Sequence, residues 1–115
     1  MFRLAQELRH AVFEEETAVR LELKAQRLAE EVSRHFRHEE RLMREARYPQ
    51  MEWHKRQHAS ARADLARLAD AIRAADQDAT FASLEAISRW IRDHTAVADR
   101  MAGAYLRNHQ RASAR

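Results

Sequence analysis

Five side chains with metal-binding chemistry fall at helical spacing along this chain: His35 and Glu39, His54 and His58, and His94. The members of each pair are four residues apart, so both lie on one face of a helix, one turn from each other. All five interrupt faces that are otherwise apolar. A buried imidazole or carboxylate needs partners, because an unpaired charge in a core either neutralises or destabilises the fold. A lone core histidine is most often satisfied by a hydrogen bond, but polar groups on several apolar stripes can converge on one ion. The chain has no cysteine, so the donors are imidazole and carboxylate, which suit iron, manganese or zinc, and carboxylates can bridge two ions. Spacing alone does not choose among these metals, and an ion-paired histidine network without metal is the competing reading.

The elements that must position these groups follow from the hydrophobic period. Leu21, Ala25, Leu28, Val32, His35, Glu39, Leu42 and Ala46 form one stripe in steps of three and four, ended by Tyr48-Pro49, because the residue before a proline is pushed out of helical geometry. A second runs Met51, His54, His58, Ala61, Leu65, Leu68, Ile72. A third, after the break "AADQDAT", runs Leu84, Ile87, Ile91, His94, Ala98, Met101, Tyr105. The shorter stripe Met1, Leu4, Leu8, Ala11, with Val12 beside it, opens the chain, and Thr17 is a candidate helix cap. These stripes predict helices over about 1–15, 19–46, 50–75 and 80–109. The fold expected is all-α, an antiparallel up-down-up-down four-helix bundle with a shortened first helix, in one domain over residues 1–115. One glycine and one proline in the whole chain suit long helices.

Other polar residues fit a site less well. His38 lies about 100° off the stripe that carries Glu39 and reads as solvated or as a partner to a ligand. His10 points away from Leu4 and Leu8, and His109 lies in the basic run "RMAGAYLRNHQRASAR". Asp99 follows His94 by five residues, about 140° around an ideal helix, so it reaches the same ion only laterally or through a local widening of the helix. Trp90 and Tyr105 are core fillers that can also wall a pocket.

The formal net charge of +3 is modest and the arginines alternate with acids, so no nucleic-acid partner is expected, and a basic helix end is also favoured by the helix dipole. With no apolar run long enough for a span and no signal-peptide pattern, a cytoplasmic location without membrane association is expected. A first helix shorter than the others leaves apolar surface at one end, and a homodimer would cover it.

The segments "HFRHEERLM", "YP", "HKRQH" and "WIRDHTAVAD", in this order over residues 2 to 105, resemble the bacterial branch of the hemerythrin family. The resemblance implies a four-helix bundle holding two iron ions with an oxo or hydroxo bridge and binding dioxygen or another small diatomic or peroxide ligand. It implies that His54, His58 and His94 ligate one iron, that His35 ligates the second, and that Glu39 and Asp99 bridge the two. Trp90, Phe36, Leu42 and Met43 match the family's pocket and packing residues. The family pattern also carries a histidine on the first helix before a segment that Met1-Phe2-Arg3-Leu4 matches, which places that ligand just before Met1. Water, Glu7, His10, a second chain or an upstream start are the alternatives for that position; Gln6, a neutral amide, is a weak iron ligand. The histidine-rich donor set favours oxygen binding, storage, delivery or sensing over catalysis. A diiron oxidase, peroxidase or nitric-oxide-handling enzyme, and a metal-storage protein, are the alternative functions.

Overall fold

The computed structural model describes residues 1–113, which form helices and turns and no strand. The helices are α1 (Phe2–Phe13), α2 (Ala18–Glu45), α3 (Met51–Arg73), α4 (Gln77–Ala96) and α5 (Ala98–Ser113). Helix α1 packs on α2 and α4, and α3 also packs on α2 and α4, so the four enclose one long core in a body of 55 × 21 × 19 Å. No described helix is long and apolar enough to cross a membrane.

The predicted stripes are the buried faces. Leu8, Leu28, Val32, Leu68, Leu84 and Ile87 are fully buried in this core, each worth about 1.5–3 kcal/mol of burial. A smaller cluster of Met43, Tyr48 and Ala102, with Met51 and Tyr105 against it, closes the end beyond the histidines. Two helix starts carry the expected chemistry: the Thr17 hydroxyl accepts a hydrogen bond from the Arg20 amide at 3.3 Å, and an Asp76 carboxylate oxygen accepts one from the Ala79 amide at 3.0 Å.

The three turns that join α1 to α2, α2 to α3 and α3 to α4 are built the same way. After α1, the Glu16 amide donates to Ala11 and the Glu15 amide to Val12; after α2, Tyr48 donates to Met43 and Arg47 to Arg44; after α3, Asp76 donates to Ala71 and Ala75 to Ile72. Each pair of bonds needs the residue between in left-handed geometry, and Glu15, Arg47 and Ala75 have φ of 53°, 53° and 55°. Glycine usually takes this place. This chain ends its helices sharply without it, which is why α1 and α3 stop two residues before the ends expected from periodicity at 15 and 75.

The expected fourth helix is two helices. Val97 breaks the run with φ −117° and ψ −68°. Beyond it Ala98 is buried and Tyr105 packs on the smaller cluster, as the stripe predicts, but Ala102 is buried in place of Met101, which is 46% exposed.

Candidate metal centre

The second half of α2 supplies His35 and Glu39, the first two turns of α3 supply His54 and His58, the last turn of α4 supplies His94, and the first turn of α5 supplies Asp99. All six side chains meet between the helices. Glu39, His54, His58 and His94 each bring a donor atom within 4.8 Å of the others, and His35, Glu39 and Asp99 do the same. His54, His58 and His94 are sealed from solvent, while the His35 side chain is 38% exposed.

Each carboxylate divides its two oxygens between these groups. Glu39 Oε1 faces the Nε2 atoms of His54, in close contact, of His58 at 3.3 Å and of His94 at 3.8 Å; its Oε2 faces His35 Nε2 at 3.1 Å. Asp99 Oδ1 faces His94 at 3.0 Å and His54 at 3.5 Å, and its Oδ2 faces His35 at 3.7 Å. The break at Val97 makes this geometry: a continuous helix would carry Asp99 about 140° away from His94, and the kink at Val97 re-aims it. The sequence leaves lateral reach or a local widening of the helix as the two routes; the structure has a break at Val97.

The donors' own chemistry fits a cation. The Nε2 atoms of His35, His54, His58 and His94, Glu39 Oε1 and Asp99 Oδ1 are all buried and make no hydrogen bond of good geometry within the protein, an arrangement that buried polar atoms otherwise avoid. Imidazole nitrogens and carboxylate oxygens at this density suit first-row transition metals. Without metal, protons hold the cluster together. Asp99 and then Glu39 raise the His35 imidazole to about 9. Burial opposes a charge on His54, yet Asp99 and Glu39 also raise it to about 9, and the same balance raises His94. Burial would push the two carboxyls up, but the surrounding imidazoles hold both well below the usual carboxylate range.

A scan of family models matches residues 1–106 to the hemerythrin HHE cation-binding domain. The chain belongs to the hemerythrin family. No curated protein and no solved structure matches it. For a hemerythrin-family chain the remaining sequence candidates take clear places. Phe36 is fully buried and stacks on His58, with ring centres 3.8 Å apart and planes 6° apart, and Trp90 stacks on His94 at 4.3 Å. Met43 is buried with Tyr48 on the far side of the donors. His38 is exposed and bonded to Arg41 at 3.1 Å. His109 is exposed and stacks on Tyr105, whose hydroxyl donates to the Ala46 and Arg47 carbonyls at 3.0 and 3.3 Å and ties α5 to the α2–α3 turn.

Neither Glu7 nor His10 joins the donor groups. Glu7 pairs with Arg3 at 3.7 Å, and His10, 76% exposed, lies 3.9 Å from Glu14. Gln6 lines a groove with Phe2, Arg9 and Ile91, to which none of the six donors contributes.

Two residues near the donors escaped the sequence reading. Glu40 Oε2 lies 2.9 Å from His58 Nδ1; the doubled glutamate in "HEE" was its only signal. Tyr48, read there only as a helix stop, is buried with its ring edge-on to His54 at 6.5 Å. Burial and the Glu39 charge raise its hydroxyl, which keeps the phenol neutral. Its burial follows from the turn geometry, which packs the second residue past the cap Ala46 back against Met43.

Proposed function

We propose that this chain holds two iron ions and binds dioxygen reversibly, for storage, delivery or sensing. The observation that carries the reading is the division of both carboxylates, with Glu39 and Asp99 each offering one oxygen to the three-histidine group and the other to His35. His54, His58 and His94 would hold one ion, His35 would hold the other, and the two carboxylates would bridge them. When bound, an iron pair supplies the electrons and the coordination position for dioxygen. The protein supplies the rest. Phe36 and Trp90 cover His58 and His94 with apolar surface, keeping water and its protons from that side of the centre. Small ligands approach from the partly exposed His35 side. Short connections between the helices favour the up-down-up-down course that brings the α2–α3 turn and the α4–α5 break to the same end.

That exposure of His35 also favours a second reading, turnover of peroxide or nitric oxide, since a more open second position gives solvent and protons access. Stopped-flow mixing of the anaerobic ferrous-loaded protein with dioxygen separates the two. Reversible binding predicts a stable oxygenated spectrum that reverts under vacuum. Rapid irreversible bleaching to the ferric form would favour the enzymatic reading.

A further inference from the structure

Four side chains close a ring on the outer side of the three-histidine group. Phe36 and Glu40 lie four residues apart on α2; His58 and Arg62 lie four apart on α3, so each pair shares one face of its helix. Glu40 Oε2 meets His58 Nδ1 at 2.9 Å. Arg62 Nη2 stands 3.5 Å from the same carboxylate oxygen, and its guanidinium lies over the Phe36 ring at 5.3 Å. The opposite side of the ring closes where Phe36 stacks on His58.

An ionised carboxylate only accepts, so Nδ1 of His58 carries the hydrogen and Nε2 presents its lone pair toward Glu39. The other two buried histidines have no such anchor: Nδ1 of His54 and Nδ1 of His94 are buried without a hydrogen-bond partner. His58 is therefore the one imidazole of the three whose tautomer and ring angle are both fixed, the first by Glu40 and the second by Phe36.

We propose that Glu40 is a positioning residue for metal binding, fixing the tautomer and raising the donor strength of His58, while Arg62 holds the Glu40 carboxylate in place. This inference rests on the reading of the cluster as a metal centre. Removing a carboxylate behind a metal-bound histidine lowers metal affinity about 10- to 100-fold. Arg62 acts one step further out and is half-exposed, so its loss has the smaller effect.

The test uses zinc as a diamagnetic probe on the full chain. Wild type, E40Q, E40A and R62A are loaded with zinc, and its release to excess chelator is timed. Histidine ring nitrogens are assigned by NMR in the metal-free protein, where Nε2 of His58 is also open to the proton, and far-ultraviolet circular dichroism checks the fold. E40A is expected to release zinc about 10- to 100-fold faster than wild type, with E40Q between them and R62A within a few-fold of wild type. In wild type His58 carries its proton on Nδ1, and E40A weakens that preference, which a role confined to packing would not do. Equal release rates with an unchanged His58 tautomer in E40A and E40Q would overturn the inference while leaving the metal reading intact. Failure of wild type to take up zinc would overturn both.

Discussion

Metal loading of this chain should release protons, and the number follows from the cluster. His35 and His54 titrate near 9 in the metal-free fold because Asp99 and Glu39 hold their protons, so at pH 7 only about one molecule in a hundred has either imidazole free. A metal needs the neutral ring, so loading at pH 7 displaces about two protons, and a third contribution comes from His94, which is also raised. Glu39 and Asp99 are already ionised and release nothing. Two protons displaced make apparent affinity rise about a hundredfold per pH unit, or about 10⁴ between pH 6 and 8. Calorimetric titration with zinc in buffers of different ionisation enthalpy counts these protons directly. A count of two to three is expected; a count below one would mean that these imidazoles are already free of protons at pH 7. The same groups set the metal-free stability. Raised imidazoles stabilise fully below about 6.5, and that contribution is lost as pH rises through about 9; the lowered carboxyls stabilise above about 4.5, and theirs is lost as pH falls. The metal-free melting temperature should therefore peak between about pH 5 and 7 and fall on both sides, and metal loading should remove the alkaline decline.

Replacing Phe36 with alanine opens a cavity in the core and frees the His58 ring; unfolding in urea should show a loss of about 3–5 kcal/mol, and a loss under 1 kcal/mol would mean that the stack contributes little. Glycine at Glu15, Arg47 or Ala75 relieves left-handed backbone at an exposed turn. After the greater freedom of glycine in the unfolded chain is subtracted, each should stabilise by up to about 1 kcal/mol. Ala75→Gly gives the sharpest case, because alanine to glycine inside a helix destabilises; a lower melting temperature for that variant would contradict the turn geometry.

The helices were legible because each buries a stripe at steady three- and four-residue steps, and His35, Glu39, His54, His58 and His94 stood out by interrupting those stripes. The turns were less legible, since the signal that usually marks a left-handed helix stop is glycine, and here Glu15, Arg47 and Ala75 take the position. Asp99 could not be placed by periodicity. Its place depends on the break at Val97, which no residue type announces, and only the resemblance assigned it a role. Beyond the break the stripe holds at Ala98 and Tyr105, but the step of four from Ala98 to Ala102 leaves Met101 exposed, and a step of three is equally compatible with helical spacing. Glu40 lies a full step off the ligand stripe, so its role needs the neighbouring helix to become visible.

The count of metal ions per chain separates a divided two-ion centre from a single three-histidine site. After anaerobic ferrous loading and removal of excess metal, elemental analysis of wild type should find two irons per chain, and of His35→Ala about one, held by the buried three-histidine group. No bound iron in wild type, or two irons in both proteins, would contradict a centre divided between His35 and the three histidines.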